Sequence, residues 1–119
     1  MKEKLEKYLK VLKIELEDLE SDLELMADVY GQREKRDEIT DYVYLENVSV
    51  LKTEILGINS IVESIDDIPV EQFTSLGEFV EYVDTLFRDR TEHASYPEGV
   101  YSLVKRKLEK VKRYIEGSE

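Results

Sequence analysis

Cysteine is absent from all 119 residues, tryptophan is absent as well, and histidine occurs once, at His93. The first absence excludes disulfides, thiolate metal sites and cysteine nucleophiles. With a single histidine no zinc site is expected, and no metal or cofactor is implied. Only Pro69, Pro97 and five glycines punctuate the chain, which leaves long stretches free to run as helix. No apolar run approaches about 18 residues, and MKEKLEKYLK lacks the apolar centre of a signal peptide. A cytoplasmic protein with no membrane segment is therefore expected.

Positive charge is also scarce. There are 17 Lys and Arg against 28 Asp and Glu, a formal net charge of -11, which opposes non-specific binding to a phosphate backbone. The imbalance is not uniform. Between Leu86 and Tyr114 stand eight basic residues (Arg88, Arg90, Lys105, Arg106, Lys107, Lys110, Lys112, Arg113) and four acidic ones, a net of +4 that leaves -15 for the remainder. With 41% hydrophobic and 38% charged residues, the composition suits one globular domain, residues 1–119, built from exposed amphipathic helices.

Hydropathy patterning fills in that class. Leu5, Leu9, Leu12, Leu16, Leu19, Leu23, Met26 and Tyr30 are spaced alternately by four and three, the stripe of one long helix ending near Gly31. Such a stripe packs inside its own bundle or forms a dimer seam. The polar run GQREKRDE, 31–38, predicts a connection. A second helix is predicted over 39–65, with Val43, Val48, Leu51, Ile55, Ile58, Ile61, Val62 and Ile65 on its apolar face, stopped by Asp66, Asp67, Ile68 and Pro69. Ser75 with Glu78 has the spacing of a capping box and opens a third helix; Ser95 with Glu98, and Pro97 in the first turn, predict the same for a fourth. No two-residue alternation is sustained. The expected fold is an all-α, up-and-down bundle of four main helices, five if 69–73 forms a further turn.

Candidates for chemistry are few. There is no phosphate-binding glycine loop and no His-Glu-x-x-His pair. The acidic pairs Glu15 with Asp18 and Glu78 with Glu81 are expected on solvated faces. What remains is Arg88 and His93, in LFRDRTEHASYPEG. Five residues turn a helix by about 500°, which sets the two side chains roughly 140° apart. They converge only if the helix frays near Thr91 or if a symmetric partner brings a second pair to the same cleft. Otherwise they are a surface arginine and a histidine placed favourably at a helix C-terminus.

The segment FRDRTEHASYPEGVYSLVKRKLEKVKRYIE, 87–116, resembles the end of HEPN-superfamily proteins of the HepT-like group, whose signature is Arg, four to six residues, then His, before the last helix. YLENVSVLKTEILGINSIVESIDDIPVEQF, 44–73, resembles their central helix and Ile-Pro turn. A Tyr stands two residues after the His in that group and three after it here, at Tyr96. The resemblance implies a HEPN-like bundle and a metal-independent endoribonuclease that dimerises so that two Arg-His pairs share one cleft. His93 would be the general acid/base, Arg88 the phosphate clamp and Asp89 an orienting acceptor. Arg90, Lys105, Arg106 and Lys107 would add affinity for RNA. It also implies a toxin-antitoxin pairing with a nucleotidyltransferase that modifies the Tyr near the motif, here Tyr96. Two readings of another class stand beside it: a non-catalytic helical module that partners a nucleotidyltransferase, and a bare helical interaction protein joined through the Leu5 to Tyr30 stripe.

Overall fold

The computed structural model describes residues 1–117. Four α-helices carry them, α1 (Lys2–Lys35), α2 (Asp41–Ser64), α3 (Leu76–His93) and α4 (Glu98–Gly117), with a 3-10 turn at Ile65–Asp67 and no strand among the described residues. None of the described helices is long and apolar enough to cross a membrane.

The register follows from side-chain contacts. Lys7 lies over the Tyr114 ring, the Tyr8 hydroxyl donates to the Leu108 carbonyl at 3.1 Å, and Glu15 accepts from Lys107 and Lys110. Residue numbers rise along α1 as they fall along α4, so the two are antiparallel. Leu5, Leu12, Leu16, Ile58, Ile61, Phe79, Val83, Phe87, Val104 and Leu108 meet in one core and are 0–1% exposed. The Leu5 to Leu23 stripe is thus internal, and Leu12 and Leu16 are no dimer seam. Burial raises the Tyr8 hydroxyl well above its ordinary pKa, with the Asp84 charge adding to it.

Several local expectations change. The run 31–38 is not all connection, because α1 continues through Lys35. Gln, Arg, Glu and Lys are good helix formers, so their polarity reports exposure rather than a break. Glu15 is not simply solvated: Lys110 and Lys107, at 3.0 and 3.1 Å, hold its carboxyl below the usual range, since α4 covers that side of α1. The extra helical turn is the 3-10 turn at Ile65–Asp67, while 69–73 holds a plain turn at Glu71 and Gln72 and no helix. Ser75 does cap α3, accepting from the Glu78 amide at 3.1 Å, and Thr40 caps α2 through the Val43 amide.

Ser95 does not act as the cap expected for α4. Its φ of 56° makes it the left-handed residue that ends α3: the Ser95 amide donates to the Glu92 carbonyl and the Tyr96 amide to the Thr91 carbonyl. That is a Schellman closure made without glycine, as is the one at Asp37 (φ 58°) after α1. A side chain in this region costs about 1–2 kcal/mol, while glycine adds unfolded-state entropy worth about 0.4–1 kcal/mol. Ser95→Gly is expected to raise stability by about 0.5–1 kcal/mol, read as a rise of a few degrees in the thermal midpoint; a lower midpoint would refute this account of the loop.

The helices are unequal in length. By rise per residue α1 spans about 51 Å and α4 about 30 Å, and the molecule measures 55 × 30 × 18 Å. The α3–α4 layer ends where Tyr96 and Val100 abut Gly57 and where Gly99 abuts Glu54. A Cβ on Gly57 would stand 3.0 Å from the Val100 side chain and 3.2 Å from the Tyr96 ring, so this close crossing of α2 and α4 favours glycine. Beyond it the ends of α1 and α2 project as a bare two-helix hairpin. Among the described residues, seven of the twelve exposed large hydrophobic side chains fall in that hairpin: Leu25, Met26, Val29, Tyr42, Val43, Leu45 and Val50.

Candidate functional site

Helix α3 does not fray at Thr91; it holds to His93. One of the two conditions for Arg88 and His93 to converge within a chain is thereby removed, and the pair stays about 140° apart around the axis. The inner positions Val83, Phe87 and Thr91 fix the orientation of the helix. Arg88 then turns towards α4 and Arg90 towards α2, with Asp89 pointing outward. His93 falls between Asp89 and Arg90. Arg88 and His93 therefore flank Asp89 on the exposed face of α3.

His93 is oriented by main chain. Its Nδ1 lies 3.0 Å from the Asp89 carbonyl oxygen, one turn earlier. A carbonyl only accepts, so Nδ1 is the donor in this bond, and in the neutral ring Nε2 is the nitrogen left to accept. The orienting acceptor is thus the backbone of Asp89 and not its carboxylate.

Arg88 sits in different company. It lines a cavity of about 230 Å³ with Thr91, Glu92, Tyr96, Glu98 and Tyr101, and His93 is not part of the lining. Arg88 makes no hydrogen bond or ion pair among the described residues, and the charge around it is mainly acidic. Tyr101 donates to the Asp84 carboxylate at 2.5 Å. Burial, then the Asp84 bond and charge, push the Tyr101 hydroxyl up to about 12, against a smaller opposing effect of Arg88. The folded chain keeps Tyr101 neutral where the unfolded chain, near pH 10, begins to ionise. Its contribution is complete below pH 10 and is lost as the pH rises towards 12. Denaturant midpoints are expected to fall over that window, and less steeply in Tyr101→Phe.

The other candidates disperse. The Arg90 Nε donates to Ser60 Oγ at 3.1 Å, tying α3 to α2. Lys105, Arg106 and Lys107 are consecutive and point in three directions. Lys105 lies over the Tyr101 ring, beside the Arg88 cavity. Lys107 is held by Glu15. Arg106 faces a groove between α1 and α4 with Lys110 and Arg113. Tyr96 does reach Arg88's cavity, its ring packed on Gly57. Sequence reasoning missed Tyr101 and Asp84. The available signal was Asp84 itself, an acid set between the inner positions Val80, Val83 and Phe87. No group of His, Asp and Glu among the described residues could hold a metal ion.

No family model, curated protein or solved structure matches the chain.

Proposed function

We propose that the protein is a metal-independent endoribonuclease of HEPN type, a homodimer whose site pairs Arg88 of one copy with His93 of another, working with a nucleotidyltransferase antitoxin. The observation that carries this reading is the His93 ring held by the Asp89 carbonyl with Nε2 left open to solvent, on the same exposed face of α3 as Arg88, which has no hydrogen bond or ion pair among the described residues. Such an imidazole can take the proton of a ribose 2′-OH, and guanidinium offsets the charge that develops on the attacked phosphate. The attack forms a 2′,3′-cyclic phosphate and releases a 5′-OH, so no hydrolytic metal is required. Asp89 serves through its main chain, Lys105 lies over the Tyr101 ring beside the Arg88 cavity, and Tyr96, which lines that cavity, is the tyrosine the antitoxin would modify. Arg90, Arg106 and Lys107 contribute at most a diffuse attraction for RNA.

The test is cleavage of a mixed RNA pool in chelator, comparing the unmodified chain with His93→Ala. Cyclic phosphate ends that disappear on substitution are expected. Equal inactivity of two folded proteins would overturn the reading in favour of a non-catalytic helical module. One observation speaks for that alternative, the apolar hairpin left uncovered by α3 and α4.

A further inference from the structure

Two heptad lines run out from under α4. On α1, Leu19 packs beside Leu103 and is buried, whereas Met26, seven residues on, is 47% exposed. On α2, Gly57 touches Val100, whereas Val50, seven residues back, is 52% exposed, and Val43 lies a further seven beyond. Residues seven apart share a helix face. The shelf of Met26, Val29, Val43 and Val50 is therefore the continuation of the surface that α4 covers, left bare because α4 starts at Glu98. From Gly57 to Val43 it extends about 21 Å, the length of a helix of about 14 residues.

Charge around the shelf selects what fits it. Asp22, seven residues after the α4-facing Glu15, Glu46, Glu54 and Glu98 border it. The cations on these lines are two at the far end of α1, Arg33, which already pairs with Glu38 at 3.5 Å, and the exposed C-cap residue Arg36. Glu54, only partly exposed at the step where α4 begins, has no hydrogen bond or ion pair among the described residues, although burial raises its carboxyl pKa. Two copies meeting here would oppose acid to acid in a chain of net charge -11.

We propose that this shelf is a docking site for a basic amphipathic helix of a protein partner, laid where α4 would continue. Its apolar side covers Met26, Val43 and Val50, and its Lys or Arg residues reach Glu46, Glu54 and Asp22. The mode is helix-in-groove recognition, with anchors at i, i+3, i+4 and i+7. It does not depend on ribonuclease activity.

The probe is a synthetic helical peptide with leucine at those anchor positions and lysine elsewhere, set against a scrambled peptide of the same composition and a glutamate-for-lysine counterpart. Backbone amide shifts are expected to map the lysine peptide to Met26, Val50 and Glu54. Met26→Lys and Glu54→Lys are each expected to weaken it at least tenfold, with circular dichroism unchanged because both residues lie outside the fully buried core. Four results would overturn the proposal: no binding, equal binding of either control peptide, shifts that map elsewhere, or self-association of the chain through the shelf.

Discussion

Mixing Arg88→Ala and His93→Ala chains, each inactive alone, is expected to restore about a quarter of the unmodified cleavage rate, since half of randomly paired dimers are hybrids with one intact site of two. The expectation comes from helix geometry. Because α3 stays helical through His93, a single chain holds the two side chains on opposite flanks of Asp89. On the proposed arrangement, only a second copy would bring an Arg88 to a His93. Alone, His93→Ala is expected to lower cleavage about 10²–10⁴-fold, the range for a general acid/base. Arg88→Ala is expected to cost about 10²–10³-fold, as for loss of a group that stabilises developing charge. Both residues are exposed, so neither variant should lose helix content. Asp89→Ala should remain active, since the bond to His93 Nδ1 comes from the carbonyl that alanine retains. Activity in neither single variant nor in their mixture, while the unmodified chain cleaves, would place both groups of one chain in one site and contradict the composite arrangement.

The largest effect on stability is expected from Leu12→Asp, which should leave the chain unfolded at room temperature. Leu12 is 0% exposed and central to the core. Replacing it removes a full apolar side chain, about 2–5 kcal/mol for truncation alone, and buries a carboxylate without a partner, which costs several kcal/mol more. The sum rivals the whole stability of a typical domain, about 5–15 kcal/mol. Leu12→Ala should fold with a lowered midpoint, and the aspartate variant should show no cooperative thermal transition by far-UV circular dichroism. Met26→Asp lies fourteen residues later on the same heptad line, is 47% exposed, and should melt like the unmodified protein. A folded Leu12→Asp monomer would restore the stripe as a seam between copies.

That contrast separates what could be read along the chain from what could not. Hydropathy at helical spacing identified four helices, the buried line from Leu5 to Leu23 and the cap at Ser75, because these depend on neighbours within one or two turns. Helix ends were less legible. The α1 terminus follows from left-handed Asp37, and Ser95 closes α3 rather than opening α4, since several residue types can take a turn that glycine would take more readily.

From the sequence by itself came the all-helical class, the absence of thiol chemistry, the net acidity, and the candidacy of Arg88 and His93. Residue type and periodicity are local properties, and they suffice for these. The tertiary structure alone decided that α4 stops short and leaves Met26 and Val50 bare. It also decided that Glu15 neutralises Lys107, that Tyr101 and Asp84 adjoin Arg88, and that the Asp89 main chain orients His93. These depend on the relative lengths and rotations of helices far apart in the chain, which no spacing within a single helix records.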